Sequence, residues 1–347
     1  MLNRRTLRIK AMQTVFAYRQ SKEANSGLAQ EFIKESFAPD LNSMEVQDKD
    51  LLKSQKKEAI DLYRKSYKND SSVKHTEEKI AVTVSEAINQ YHRQNAKDFK
   101  FFKKNMVIEA EKILDRYLSV LLLLIDLAEV AEEDPRIDHS NFVKNLLIKA
   151  LKENTSLEDI ILRRNISWSE HKAEIRDWFR DIVKADEAYK SYIKLESPGF
   201  EDDKSIINHI VKNIIFKNEV IDKFLEEEDL NWQEDRAIIK SLTVKTIKSI
   251  TDGEEEFEIQ ELSYNWDDDK AFFVKLFEET IEVDHEYEDL IAKKTKNWDI
   301  ERIATTDKII LEMAISEMIN FSSIPVKVTI NEYIEVAKKY STPKSKM

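Results

Sequence analysis

DKIILEMAISEMINFSSIPVKVTINEYIEVAKKYSTPKSKM, residues 307–347, reads as two helices joined by a turn. In the first, Ile310, Met313, Ala314, Glu317, Met318 and Phe321 recur at three- and four-residue spacing, which gives one mostly apolar stripe. Ser322-Ser323 supply the turn and Pro325 forbids a continuing helix. The second helix is expected to open at Thr329-Ile330-Asn331-Glu332 as a capping box, the Thr hydroxyl taking the Glu332 N–H and the Glu332 carboxylate reaching back. Its inward face is then Ile330, Tyr333, Ile334 and Ala337. On periodicity alone this is a helical hairpin inside a bundle.

The rest of the chain agrees with that class. Among 347 residues there are five Pro, three Gly (Gly27, Gly199 and Gly253) and no Cys, with 35% charged residues. Few breakers among abundant Lys, Glu, Leu and Ile predict an all-α protein. The absence of Cys excludes a disulfide scaffold and thiolate chemistry. MLNRRTLRIK lacks the apolar core of a secretory signal, and the longest apolar run, Val120–Ile125, is broken by Asp126. A cytoplasmic location is therefore expected. His75, His92, His139, His171, His209 and His285 are scattered, none at metal-ligand spacing, so no metal or other cofactor is expected.

Net charge is −12, which disfavours a generic nucleic-acid binder. Residues 1–20 are the exception: they hold Arg4, Arg5, Arg8, Lys10 and Arg19 and no acid. A helix is expected over Asn3–Gln20, with Asn3 as N-cap and Leu7, Ala11, Val15 and Tyr18 facing inward, widened by Met12 and Phe16. Arg4, Arg5 and Arg8 then cluster at its start, exposed, where the helix end itself favours phosphate. By itself such a cluster is more often only a solvated face.

Between the ends, a helix is expected over Leu51–Tyr67, with a loop at Asn69-Asp70-Ser71-Ser72. Over Glu77–Asn105 the apolar positions thin to Ile80, Val84, Ala87, Ile88 and Tyr91, which predicts a helix packed along one narrow seam. Phe99, Phe101 and Phe102 lie among lysines; that pattern can stack on single-stranded bases, though core packing is the commoner outcome. Further helices are expected over Glu109–Glu132, ended by Pro135, over Phe142–Asn154 and over Trp168–Leu195, with Ser197-Pro198-Gly199 as a linker. Two stretches read alike at an offset of 66, pairing Asp203-Lys204 with Asp269-Lys270, Ile206-Ile207 with Phe272-Phe273, Leu225 with Ile291, and Trp232/Arg236 with Trp298/Arg302. A degenerate internal duplication and the convergence of amphipathic helices both account for it.

Three strings go beyond physics. I-P-x-K-V-x-I-N-E-x-I-E-x-A-K-K-Y (Ile324–Tyr340), D-x-x-I-L-x-x-A-x-x-E (Asp307–Glu317) and R-R-x-x-R-x-x-A-x-Q-x-x-F (Arg4–Phe16) resemble the NusB family of transcription antitermination factors. Trp298 with Arg302, and the Ser341–Ser345 loop, follow the same pattern. The resemblance implies a NusB-like helical bundle with a large helical insertion after the first helix. The implied parts are 1–20 as a basic first helix, 21–198 as the insertion, 199–256 as a possible degenerate repeat, and 257–347 as the C-terminal block.

The resemblance also implies a non-enzymatic adaptor. It would bind single-stranded boxA-like RNA of ribosomal RNA operon transcripts together with NusE, a small-subunit ribosomal protein, within an RNA polymerase antitermination complex. The RNA-binding residues so implied are Arg4, Arg5, Arg8 and Gln13, joined by Lys344 and Ser345. The family continues past the loop after Lys346 with an aromatic residue, an Asn-Gly turn and a last helix; those are absent, so either the chain is truncated or it closes differently. A fused RNA cytosine methyltransferase, the enzymatic relative of this domain, needs a Gly-rich loop and a Cys that this chain lacks. A helical protein-binding scaffold that has lost RNA binding is the other reading, favoured by the long insertion and the acidic body.

Overall fold

The computed structural model describes residues 1–40, 46–68, 73–253, 257–282, 291 and 303–341. Among these residues the chain is helical throughout, without strands. The helices are α1 (Arg4–Ser36), α2 (Lys49–Ser66), α3 (Glu78–Glu132), α4 (Ser140–Val143), α5 (Leu146–Glu153), α6 (Thr155–Arg164), α7 (Lys172–Trp178), α8 (Glu187–Tyr192), α9 (Phe200–His209), α10 (Glu219–Glu228), α11 (Trp232–Ser249), α12 (Trp266–Glu282), α13 (Thr305–Asn320) and α14 (Val326–Tyr340). They form two compact units, one of Met1–Asn3 with Ile108–Asp269, the other of Arg4–Val107 with Lys270–Met347. The helix α3 contributes residues to both.

In the unit that holds α1, that helix is nearly twice as long as the sequence suggests. It runs through Gly27, at a cost of about 1 kcal/mol, because Ala29 and Ile33 lie beyond it on the buried face. Pro39 follows its end. Ala29, Ile33 and Phe37 pack with Ala59 and Tyr63 of α2 and with Ile80, Val84, Ala87, Ile88 and Tyr91 of α3. The thin stripe read from the sequence is thus the seam of α3. The expected break between Asn105 and Glu109 is not there: no Pro, Gly or capping side chain interrupts the hydrogen-bond ladder, and one helix of 55 residues results. Phe99 and Phe102 are half-buried and meet Tyr18, which also meets Phe277, with ring centroids 5.8, 6.1 and 6.2 Å apart; Phe101 is exposed. The C-terminal hairpin α13–α14 packs on α1 within this unit.

The other unit breaks helices where asparagine and aspartate side chains offer the backbone an alternative. Asn145 caps α5, splitting the helix expected over Phe142–Asn154, and Asn154 caps α6. Asp186 caps α8, and a π-helical stretch at Phe179–Val183 precedes it, so Trp168–Leu195 is not one helix. Ser197-Pro198-Gly199 leads into α9, whose Asp202 carboxylate accepts the Gly199 N–H at 2.9 Å. Buried Asp203 accepts the Tyr192 hydroxyl at 2.6 Å and the Leu146 N–H at 2.7 Å.

Trp232 is buried against Phe216. Its indole N–H and the Arg236 guanidinium both donate to Asp222, at 2.8 and 2.9 Å. Trp298 and Arg302, the matching pair at the offset of 66, lie outside the described residues, as does Asn69–Ser72. Of the other matched pairs, Ile206-Ile207, Phe272-Phe273, Leu225 and Ile291 are all buried.

Candidate nucleic-acid interface

The phase of α1 sorts its basic residues. At 100° per residue, Leu7, Ala11, Val15 and Tyr18 fall on one line and all four are buried. Arg5, Ile9, Gln13 and Phe16 fall on another, which faces solvent: Arg5 and Phe16 are exposed, Ile9 and Gln13 partly so. Arg4 lies over the Phe272 ring at 4.9 Å, a cation–π contact.

Arg8 corrects an expectation. Predicted to be exposed, it is 3% accessible. Its Nε and Nη2 donate to the two oxygens of Glu317 on α13 at 2.7 and 2.6 Å, a bidentate pair. The Glu317 carboxylate also accepts the Thr329 hydroxyl at 2.8 Å and the Tyr333 hydroxyl at 3.3 Å. Four donors match the roughly four acceptor sites of an ionised carboxylate, so a fully buried charge is satisfied. Burial alone would lower the Arg8 pKa; the hydrogen bonds and charge of Glu317 outweigh it, and the net shift is upward. Burial, then the Glu317 charge, pushes the Tyr333 phenol well up. Arg8 therefore holds α1 against α13 and α14.

The same network overturns the capping box. The helix α14 begins at Val326, with Pro325 as its N-cap. Thr329 then sits in the first turn with its side chain turned inward to Glu317, and no capping role is left for it. The inward face also differs from the one expected: Thr329, Tyr333 and Val336 are buried, while Ile330 and Ile334 are 46% and 48% exposed.

Glu332 turns to Arg5 instead. Arg5 Nε and Nη2 donate to its two oxygens, both at 2.8 Å, and Arg8 Nη1 lies 3.8 Å away. The hydrogen bond from Arg5 holds the Glu332 carboxyl below its ordinary value. This pair is open to water, with 47% of the Arg5 side chain accessible. Further along α1, Arg19 is paired with the buried Glu312 of α13.

Of the six residues named from the sequence, the structure brings Arg4, Arg5, Arg8 and Gln13 onto one helix but on different faces. Lys344 and Ser345 lie outside the described residues. Gln13 makes no hydrogen bond among the described residues. Sequence reasoning missed three participants. Phe16, assigned to the inward face, is 40% exposed, 11 residues beyond Arg5 on the same side. Glu317 and Glu332 are the acids that decide which arginine is available. Glu317 had a signal: one carboxylate inside an apolar stripe needs a buried cation. The outward stripe now presents a guanidinium, an amide and an aromatic ring over about 16 Å of helix. Those groups suit a phosphate, a base edge and a base face.

Residues 238–347 are a NusB family domain by their match to that family. Among curated proteins, the chain is similar to the transcription antitermination protein NusB of Salinibacter ruber, with 43% identity over 76 residues, 22% of this chain and 48% of that protein. It is 45% identical to the protein of the same name from Dictyoglomus turgidum over 22% of the chain and 53% of the relative. For that of Thermodesulfovibrio yellowstonii the identity is 46%, over 22% and 52%. The chain spans about half the length of the curated relatives it matches. No solved structure matches the chain.

Proposed function

We infer from the NusB family domain at residues 238–347 that the chain is an RNA-binding adaptor in transcription antitermination. It binds boxA-type RNA of ribosomal RNA operon transcripts together with NusE, as part of the RNA polymerase antitermination complex, and performs no catalysis. The observation that carries this reading is the solvent-facing line Arg5–Gln13–Phe16 on α1, docked on the hairpin of that domain. Arg4 and Arg5 supply charge to phosphate, Gln13 reads base edges, and Phe16 offers a stacking face, joined by Lys344 and Ser345. Arg8 acts as a positioning residue, since its guanidinium is already spent on Glu317. Among the described residues, no helix is long and apolar enough to cross a membrane.

The test is fluorescence anisotropy with boxA-type RNA and a scrambled control, with and without NusE. Arg5→Ala should lower the salt slope by roughly 0.7 for one lost phosphate contact. Gln13→Ala should cut the preference for boxA over the scrambled RNA with little change in slope. Equal binding of both RNAs by the wild-type chain, in the presence of NusE, would remove the reading.

One observation favours the other reading, a helical protein-binding scaffold without RNA. Arg5 and Arg8 are both engaged by carboxylates of the hairpin, and the chain carries a net charge of −12. Wild-type anisotropy unchanged by boxA RNA, alongside complex formation with NusE, selects it.

A further inference from the structure

We propose that a second nucleotide-binding groove, lined partly by α2 and α3, continues the path of single-stranded RNA along α1 beyond the Arg5–Gln13–Phe16 line; this rests on the RNA-binding reading above. The groove has a volume of about 590 Å³ and lies wholly within one unit. The helix α1 forms its floor with Tyr18, Arg19, Lys22 and Ser26. The end of α2 adds Tyr67 and, just after it, Lys68; α3 adds His92 and Asn95; the first turn of α13 adds Lys308. It therefore joins the NusB family domain to a part of the chain outside residues 238–347, and nothing in the family match accounts for it.

Charge, rigidity and position all point to a strand of nucleic acid. Lys22 and Lys68 stand in the lining beside one acid, Glu23, in a chain whose net charge is −12. A local positive concavity on an acidic body raises the concentration of polyanions there. The polar floor is built in advance. Buried Asn25 donates to Asn95 at 2.9 Å, and the Tyr63 hydroxyl donates to Ser26 at 3.2 Å. The Tyr67 ring is fixed by a stack on Tyr63 at 5.1 Å and an edge contact with Tyr91 at 5.3 Å, so it holds its place at the wall without a ligand. His92 is exposed beside it. Aromatic rings held in place among lysines suit bases and phosphates together, independently of sequence. An acidic peptide would use the lysines but leave the aromatic wall without purpose.

The groove lies further along α1 than the first site, its Lys22 roughly 100° round the helix from the Arg5 line and only Glu23 on that line. Glu23, at its rim, is 18 residues past Arg5, which is five full turns and returns to the same side of α1, about 27 Å away. Phe16 lies between them on that side. A strand held at Arg5 and running along the helix passes Phe16 and enters the groove.

The experiment measures anisotropy and its salt dependence for the full chain with two kinds of probe. One is a boxA-type RNA; the other is the same RNA lengthened by about eight uridines, in separate 5′ and 3′ versions. Wild type is set against Lys22→Ala/Lys68→Ala, both side chains being removable from a groove wall without opening the core, and circular dichroism checks the fold. The expected result is tighter binding of one lengthened RNA by the wild type, with a salt slope that falls by roughly 1.4 in the double variant for two lost phosphate contacts. The unlengthened RNA should bind both proteins equally. If the extension adds no affinity, or the double variant keeps the whole gain, the groove is not an RNA site while the first site stands. If a poly-glutamate peptide binds the wild type and not the double variant, with no gain from the extension, the groove belongs to an acidic peptide instead. If the wild type binds none of the RNAs, the proposed function falls and the groove with it.

Discussion

The two halves of α1 are held in place by opposite means. Its first half meets α13 and α14 through charge: Arg8 with Glu317, Arg19 with Glu312, Arg5 with Glu332. Its second half meets α2 and α3 mainly through Ala29 and Ile33, with Phe37 just past its end, joined by neutral-donor hydrogen bonds such as Asn25 to Asn95 rather than by ion pairs. The apolar half gains free energy from every buried methylene but tolerates many arrangements of similar volume. The charged half gains little net energy, because desolvating Arg8 and Glu317 cancels most of their attraction. What it gains is a single register, since a one-residue slip would strand two buried charges. The half that carries the Arg5–Gln13–Phe16 line is the one whose rotation about its own axis is fixed.

The largest expected effect tests that division. Arg8→Ala or Glu317→Ala leaves an unpaired buried charge and should destabilise the protein by roughly 3–5 kcal/mol in urea titration. Replacing both together, as Arg8→Met with Glu317→Leu, should recover most of that loss. A double variant as unstable as either single one would mean the pair contributes net energy after all, and the contrast between the halves would fail. In the apolar half, Ile33→Ala should cost about 2–5 kcal/mol with no second change able to restore it except by volume, read by the same titration.

A smaller effect separates Arg5 from Arg8. Arg5→Ala breaks only a half-exposed pair and should cost no more than about 1 kcal/mol. Its binding effect runs the other way from that of its partner. Glu332→Gln removes the carboxylate that competes with phosphate for Arg5, so RNA affinity should rise and the salt slope steepen by roughly 0.7. Unchanged affinity in that variant would place the RNA away from Arg5.

The smallest effect is in pH. Glu332 has its pKa depressed by Arg5, so its contribution is fully present above the ordinary glutamate value of 4.5 and is lost as pH falls through the lower, folded value. The stability difference between wild type and Glu332→Gln should therefore shrink toward zero on acidification below pH 4.5. A difference that stays constant through that window would show that the pair adds nothing.

Particular residues show what was legible. Ile80, Val84, Ala87, Ile88 and Tyr91 were readable as one seam because a helix buries what its own period aligns, and they are buried together. The hairpin of α13 and α14 was readable from Pro325 and two stripes. Thr329 was misassigned because a capping box and a first-turn threonine look the same until the helix start is known. That start lies at Val326 behind Pro325, and the Thr329 hydroxyl turns inward to Glu317. The continuation of α1 past Gln20 was missed because its apolar positions become sparse there; the burial of Ala29 and Ile33 carries the helix through Gly27.

By itself the sequence determined the helical class, the apolar seams and the resemblance to a NusB family domain now found at residues 238–347. These are local in origin, since periodicity and breakers act within a few turns. Tertiary structure alone decided which arginine is available. Arg5 and Arg8 are three residues apart and differ by roughly 60° around α1. No property of either side chain distinguishes them. One faces Glu317 beneath Tyr333 and is sealed from water; the other meets Glu332 at the surface and keeps almost half its side chain exposed. A charge is inside or outside according to where its counter-charge sits in space, and that position is set by a helix some three hundred residues away in the chain.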